Sequence, residues 1–256
     1  MGIDRSGEGD DQLESLDVAA DRGPRERDAD VPSPPRPELP ADRAAYFAEY
    51  KKAVDAEYRA YAIDQGCARV EKIEKDIVTP AMRRIESEDS GRELVGLEFR
   101  LKERERLSEK VAEAMRFKGR TAEQAFAEVK DAIRYTFQYP DDRYSDGVIA
   151  DCERLKAAGF EAIDRKNSWT AEEYKGINSR WLALANSQVF EVQFHTQASF
   201  AAKQETHSAY ERLRSGGATD AERDELKAYQ RRVSSMVPVP PGVTGIDNYD
   251  RSKRDG

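Results

Sequence analysis

The sequence predicts an α+β fold with helices packed over a small mixed sheet, and the same order of elements leaves an α/β arrangement open. Apolar residues recur at helical spacing through residues 41–85 and again after Thr196. Between these two regions lie short runs rich in β-branched and aromatic residues, each bounded by glycine, proline or polar turns. A chain of 256 residues has room for one generous domain, or for one domain with long tails.

Residues 1–40 differ in composition from the rest of the chain. They contain eleven acidic residues, five arginines and six of the eleven prolines, with hardly any large apolar side chains. Such a segment cannot bury enough surface to offset its ordering entropy, so a disordered leader is predicted. It accounts for about six of the eight net negative charges, which leaves the body close to neutral and does not exclude phosphate-bearing ligands.

Several classes of protein are disfavoured. We find neither a transmembrane run nor a signal peptide, so a soluble, cytoplasmic protein without a membrane partner is expected. Delivery or secretion as a toxin, without a visible signal, is the alternative. Cys67 and Cys152 stand far apart and the chain has two histidines, which argues against a disulfide framework and a zinc cluster. Neither common glycine-rich phosphate loop is present.

The region 41–93 is expected to be helical. The first apolar stripe is formed by Phe47, Tyr50 or Val54, Tyr58 and Tyr61, and the second by Cys67, Val70, Ile73 and Ile77. Pro80 should kink or split this second helix, because proline lacks an amide hydrogen and crowds the preceding turn. A short strand is then predicted at about 94–99.

The central elements follow in order. A helix is predicted over 104–118, and the capping-box pair Thr121 and Gln124 should begin another that ends near Lys130. A strand over 132–139, a helix over about 143–157 and a strand over 160–165 come next. After a polar loop, a strand at about 177–184 should form a hairpin with the following strand.

The stretch Phe190-Glu191-Val192-Gln193-Phe194-His195-Thr196 alternates strictly. As a strand, it would send the two phenylalanines and the valine to a buried side. Glu191, Gln193 and His195 would then share the other side, which is either a solvated face or the floor of an active site. A helix to about Arg214 and a capped helix beginning at Thr219 follow, and residues 236–256 are predicted to be a flexible tail.

Asp131 and Glu191 are the two carboxylates placed to act together. If their strands are neighbours, the pair can share Mg²⁺, which typically takes one or two protein carboxylates and leaves its other positions to water and substrate phosphates. Phosphoryl-type transfer also needs cations that neutralise the moving charge. Such cations are available at Arg100, Lys102, Arg106 and Lys110. The alternative is that these four form a solvated helix face.

Four sequence blocks point to a known family. They are Arg100-x-Lys102 with Lys110, Lys130-Asp131-x-x-Arg134, Lys166-Asn167 with Tyr174-x-x-x-Asn178, and Glu191-Val-Gln193-x-His195-Thr196. In order and spacing they resemble the synthetase domain of the RelA/SpoT family, over roughly residues 94–214. The expected organisation is a leader at 1–40, helices at 41–93, a synthetase-like domain at 94–235 and the tail.

The resemblance implies a nucleotidyltransferase-like mixed sheet of about five strands. It also implies transfer of the β,γ-pyrophosphate of ATP to the 3′-hydroxyl of a purine nucleotide, with release of AMP. By position, Arg100, Lys102 and Lys110 match the basic block that handles ATP and its phosphates, and Arg106 and Arg134 complete the predicted ATP- and phosphate-binding set. Asp131 and Glu191 match the catalytic, magnesium-binding pair. The acceptor-binding set would be Lys166, Tyr174, Asn178, Gln193 and His195, with Tyr174 stacking on the base.

Three positions depart from the family pattern. The usual Asn-Gly-Tyr turn is Glu173-Tyr174-Lys175, a histidine is replaced by Asn178, and the arginine of the last block is replaced by His195. His195 is therefore either a phosphate contact or a hydrogen-bonded structural histidine, and Tyr174 either stacks on a base or is a surface aromatic.

The first two departures concern the acceptor more than the donor. Two alternatives to a nucleotide acceptor stay open, namely a toxin that pyrophosphorylates the 3′ end of tRNA, with an antitoxin or immunity partner, and a non-catalytic nucleotide-binding module.

Overall fold

The computed structural model describes residues 42–185 and 187–253, and by its internal contacts the chain divides after Phe47. The described part of the first unit, residues 42–47, begins helix α1, where the Asp42 side chain accepts a hydrogen bond from the amide of Ala45 at 3.0 Å. This is an ordinary helix N-cap. The predicted leader at 1–40 lies outside the described residues.

Two helices joined by a π-helical segment begin the described chain. Helix α1 (Arg43–Ile73) continues into the π segment Glu74–Val78 and then into α2 (Thr79–Ser87). Pro80 is the second residue of α2, and the wider π turn before it accommodates both its missing amide hydrogen and its ring. The predicted interruption of the helix is therefore confirmed.

The first apolar stripe of α1 forms a helix face but does not join the core. Its side chains are all exposed: Phe47, Tyr50, Val54, Tyr58 and Tyr61. The second stripe is buried from Cys67 onward, together with Met82 and Ile85 of α2. The predicted stripe is present in the first case but is not covered, because helical spacing alone does not say whether another element packs against the face.

The remaining helices follow the predicted order. They are α3 (Arg104–Lys118), α4 (Ala122–Glu128), α5 (Tyr144–Ala157), α6 (Gln197–Glu205), α7 (His207–Arg214) and α8 (Asp220–Ser235). Thr121 and Gln124 form the predicted capping box at α4. The single helix expected after Thr196 is divided in two, because Thr206 leaves helical geometry between α6 and α7.

A six-stranded mixed sheet lies among these helices. Its strands are β1 (Glu93–Val95), β2 (Arg134–Tyr139), β3 (Phe160–Asn167), β4 (Ile177–Ala183), β5 (Gln188–Thr196) and β6 (Tyr249–Asp250). Their spatial order is β1-β2-β5-β4-β3-β6, with β2 and β5 parallel and the other pairs antiparallel. The α+β class is confirmed, with five longer strands and the two-residue β6.

Strand β5 occupies an interior position and alternates as predicted. Phe190, Val192 and Phe194 are fully buried in the core. Glu191 is cross-strand neighbour both of Arg134 on β2 and of Arg180 on β4. The polar face of β5 therefore lies between charged side chains of two other strands, and not against open water alone.

The segment after α8 is packed onto the rest of the unit. Val237, Val243 and Ile246 are buried in the core, β6 pairs with β3, and the Ser145 hydroxyl donates to the carbonyl of Pro241 at 2.6 Å. The prediction of a flexible tail is wrong for residues 237–253. Within the described ranges, no helix has the length and apolarity that crossing a bilayer requires.

Gly66 allows α1 to approach α4. The backbone of Gly66 is helical and would itself accept alanine. A Cβ atom added there would nevertheless lie 1.9 Å from Cε2 of Phe126. Gly66→Ala should therefore lower the free energy of unfolding by about 1–3 kcal/mol through overpacking, despite the roughly 1 kcal/mol that alanine gains over glycine in helices. Urea denaturation measures this change. The loss should shrink in a Phe126→Leu background, whereas a stabilised Gly66→Ala protein would contradict the packing.

Candidate active site

Asp131 is placed by a short backbone pairing that precedes β2. The amide of Lys102 donates to the carbonyl of Ala132 at 3.0 Å, and the amide of Arg134 donates to the carbonyl of Arg100 at 2.8 Å. This pairing brings the Lys102 ammonium to 2.7 Å from one Asp131 carboxylate oxygen. The ammonium of Lys110, which lies on α3, is 3.2 Å from the other Asp131 carboxylate oxygen.

Asp131 is strongly held in its ionised form. Burial opposes ionisation, but the hydrogen bond and charge of Lys102, with Lys110, outweigh it and lower the pKa of Asp131 to about 2. Burial also lowers the pKa of Lys110, against the opposite effect of Asp131. The carboxylate is thus negative at any physiological pH and is already surrounded by cations.

Arg134 connects Asp131 to the second carboxylate. Its Nε donates to Glu191 at 2.8 Å and its Nη2 to Asp131 at 3.2 Å. The parallel register of β2 and β5 sets Arg134 directly beside Glu191, and the Glu191 amide donates to the carbonyl of Ile133 at 2.9 Å. We call Lys102, Lys110, Asp131, Arg134 and Glu191 the charged cluster.

The two carboxylates suit a hard cation. Among residues 42–185 and 187–253, no group of three or more acidic, histidine or cysteine side chains forms a complete metal cage. Magnesium does not require one, because it commonly takes one or two carboxylates and completes its shell with water and phosphate oxygens. Asp131 and Glu191 fit that description.

Arg100 lies in the same backbone pairing as Lys102, but its side chain pairs with a carboxylate outside the charged cluster. Its Nε donates at 2.8 Å to Glu74, a buried carboxylate in the π segment that also accepts from the Tyr135 hydroxyl at 2.8 Å. Glu74 was missed in the sequence, because nothing in a helical pattern marks one glutamate as buried. Pro80 was the available sequence signal, since a proline within a helical pattern disturbs the turn before it, and here that turn is the π segment that contains Glu74.

Two other predicted residues stand farther out. Arg106 is exposed and pairs with Glu103 at 3.2 Å, so the structure does not bring it into the charged cluster. Lys166 is also exposed, and on β3 it is the cross-strand neighbour of Asn178. It therefore lies on the sheet face that carries Asn178.

Tyr174, Asn178, His195 and Ser199 form a second group, which we call the tyrosine network. The Tyr174 hydroxyl donates to the Asn178 side-chain oxygen at 2.8 Å and lies 2.9 Å from Nε2 of His195. The other ring nitrogen of His195 lies 2.8 Å from the Ser199 hydroxyl. The loop can approach because Gly176 has no side chain: a Cβ there would lie 2.7 Å from His195 Cε1.

His195 is a structural histidine in this network. The ring is fully buried with both nitrogens engaged, so the alternative of a direct phosphate contact is not what the geometry provides. Burial, together with the charge of Lys203, lowers the pKa of His195 well below its ordinary value. Asn178 and His195, two of the departures from the family pattern, are thus both uncharged and share one hydroxyl partner.

Lys203 was not identified from the sequence. It projects from α6, where its ammonium donates to the Gln193 side-chain oxygen and lies 5.3 Å from the centre of the Phe200 ring. Burial, followed by the charge of Arg134, lowers the pKa of Lys203 to about 8, against the effect of Glu191. Helical periodicity placed Lys203 on a face with Phe200 but did not show that this face covers β5.

A cavity of about 460 Å³ adjoins the tyrosine network. It is lined by Tyr174 on one side and by α7 and α8 on the other, including Tyr210, Arg214 and Lys227. Arg214 is near enough to influence the pKa of Lys110. The cavity and the charged cluster therefore belong to one region of the surface.

The pKa of His195 has a consequence for stability. A histidine in the unfolded chain titrates at about pH 6.5, whereas the His195 ring in the folded protein resists protonation. The contribution of the neutral His195 ring to the free energy of unfolding should therefore be fully present above that pH. Below it, the free energy of unfolding should fall by at most about 1.4 kcal/mol per pH unit. Urea denaturation between about pH 7.5 and 5.5 should show this slope. His195→Gln should remove it and the exposed His207→Gln should keep it; equal slopes in all three proteins would contradict the assignment.

Comparison with known proteins gives structural likenesses only. No family model and no curated protein matches the sequence. Small alarmone synthetase 1 from Bacillus subtilis, solved bound to its product pppGpp, is 18% identical, with 71% of this chain and 90% of that chain covered and a TM-score of 0.45. Small alarmone synthetase 2 from the same organism is 16% identical, with 76% and 94% covered and a TM-score of 0.42.

A GTP pyrophosphokinase family protein from Streptococcus pneumoniae is 18% identical, with 73% of this chain and 89% of that chain covered and a TM-score of 0.41. Similarity at this level does not transfer an activity, so the function has to be argued from the side chains of this chain.

Proposed function

We propose that the site transfers the β,γ-pyrophosphate of ATP to the 3′-hydroxyl of a purine nucleotide and releases AMP. The observation that carries this proposal is an excess of buried and half-buried positive charge. Among the residues that the structure describes, Lys102, Lys110, Arg134 and Lys203 lie around two carboxylates, Asp131 and Glu191. Concentrated cations in a partly desolvated cleft are stabilised by polyanions such as nucleotide phosphates.

Lys102 and Lys110 are assigned to the ATP triphosphate. Both ammonium groups lie within hydrogen-bonding distance of Asp131, so their positions are fixed before any ligand arrives. Fixed cations need little reorganisation when charge develops during phosphoryl transfer. Arg100 is assigned as a third cation for the triphosphate, and its side chain is held by Glu74.

Glu191 is assigned as the general base. In the proposed step, the acceptor 3′-oxygen attacks the β-phosphorus of ATP while its proton passes to the Glu191 carboxylate. The bond between the β-phosphorus and the bridging oxygen to the α-phosphate breaks, and AMP leaves with that oxygen. Arg134 orients Glu191 through the 2.8 Å bond.

Asp131 and Glu191 would hold Mg²⁺, which would supply further neutralisation of the transferred phosphates. The acceptor base is assigned to Tyr174 and the adjoining cavity of about 460 Å³. The Tyr174 hydroxyl is fixed by Asn178 and His195, which leaves the ring as a rigid surface for stacking.

Radiolabelled ATP tests the reaction and the acceptor together. The purified protein should be incubated with Mg²⁺ and γ-labelled ATP in the presence of GDP, GTP, AMP, ATP or tRNA. We expect AMP formation and label transfer that both depend on one nucleotide acceptor. Label on tRNA instead would identify the toxin-type alternative, and nucleotide binding without any turnover would support the non-catalytic alternative.

Replacement of the proposed base gives a sharper test. Glu191→Gln keeps the shape of the side chain but cannot accept the proton, so kcat for AMP formation should fall by about 10²–10⁴-fold. The matched control is Glu161→Gln on β3, whose carboxylate pairs with Arg251 at 3.0 Å. The control should retain wild-type kcat. A Glu191→Gln protein of undiminished kcat would exclude the proposed role of this carboxylate.

A further inference from the structure

Lys203 is a half-buried cation whose charge is not matched by a neighbouring carboxylate. In the part of the chain that the structure describes, its hydrogen-bond acceptor is the neutral side chain of Gln193, and no carboxylate forms an ion pair with it. Glu191 acts on it from a greater distance, but its carboxylate accepts from Arg134 at 2.8 Å. A desolvated ammonium without an anion is costly, so an anion from outside the chain would stabilise it.

The backbone around Lys203 is rigid. Thr196 and Ser199 cap the beginning of α6 reciprocally, and the Ser199 hydroxyl is also tied to the His195 ring. The Phe200 ring and the Gln193 amide then limit the directions open to the lysine side chain. The ammonium is therefore pre-positioned, which reduces the ordering entropy lost on binding a ligand.

The position of Lys203 separates it from the ATP-phosphate lysines. Lys102 and Lys110 both contact Asp131, whereas Lys203 contacts Gln193, the cross-strand neighbour of Asn178. Its charge also reaches the His195 ring of the tyrosine network. Lys203 thus lies on the Tyr174 side of Arg134.

From this geometry we infer that Lys203, held by Gln193, is an anion-binding residue for the 5′-phosphate groups of the acceptor nucleotide. The inference deepens the proposed function and rests on it for the identity of the acceptor site. It also accounts for the neutral pair Asn178 and His195, since the positive charge on this side is supplied from α6 instead. The lowered pKa of about 8 agrees with a cation that lacks an anionic partner.

Calorimetric binding tests the inference without requiring turnover. Guanosine, GDP, adenosine and ADP are titrated into the protein in the presence of Mg²⁺ and saturating α,β-methylene-ATP, so that the donor site is filled. Wild-type protein should bind one diphosphate more tightly than its nucleoside. Lys203→Met should lower the affinity for that diphosphate by about 10- to 100-fold and leave the affinity for the nucleoside unchanged. Lys203→Arg should retain most of the affinity.

Two controls separate binding from folding. Lys156→Met removes an exposed lysine of α5 that pairs with Glu153, and should change no affinity. Lys203→Met should have a Tm no lower than that of wild type, because it removes a partly desolvated charge that lacks a carboxylate partner. A lowered Tm together with weakened nucleoside binding would indicate a structural role and overturn the inference.

Three further results would overturn it. The first is equal affinity of the wild-type protein for nucleoside and diphosphate. The second is an equal loss of affinity for both ligands in Lys203→Met. The third is a Lys203→Met protein that loses affinity only for the ATP analogue. The proposed function fails separately, if no acceptor yields AMP. A diphosphate preference that depends on Lys203 would stand in that case, as a property of a binding site without turnover.

Discussion

The guanidinium of Arg134 holds the site together. It donates to Glu191 through Nε and to Asp131 through Nη2, and so joins β5 to the turn that precedes β2. Two carboxylates on adjacent chain segments would repel each other without it. The parallel pairing of β2 with β5 makes the contact possible, because it places Arg134 and Glu191 side by side. Burial opposes the charge of Arg134, but Glu191 and then Asp131 raise its pKa overall.

Around this link, charge is distributed unequally. The Asp131 side has two lysines on one carboxylate, whereas the tyrosine network beyond Glu191 is neutral and has the single cation Lys203 beside it. Two further cations, Arg100 and Arg180, are neutralised within the protein, by Glu74 and Asp164 respectively. The cations that are left over mark where phosphate is stabilised. A donor with three phosphates and an acceptor with a 5′-phosphate match this distribution.

Much of this arrangement was accessible from the sequence. Strict alternation placed Glu191 and Gln193 on one face of β5, and polar capping pairs marked where α4 and α8 begin. The four blocks supplied the carboxylates and lysines that the structure brings together. Local periodicity was sufficient for these because each signal depends on residues close in the chain.

What the sequence did not reveal depends on distant contacts. Val243 and Ile246 are isolated apolar residues among prolines and glycines, so no period indicated that residues 237–253 would pack on the core. The burial of Glu74 and the partial burial of Lys203 depend on which elements cover them, as does the exposure of Tyr58 on α1. His195 could be assigned only when both of its hydrogen-bond partners were known.

A crystal structure of the protein with Mg²⁺ and α,β-methylene-ATP would reveal whether the charged cluster binds the donor. We expect the triphosphate to lie against Lys102 and Lys110, with Mg²⁺ held by Asp131 and Glu191 and with the β-phosphorus on the Glu191 side. A triphosphate bound away from these lysines, with Asp131 still closed by its present cation partners, would contradict it.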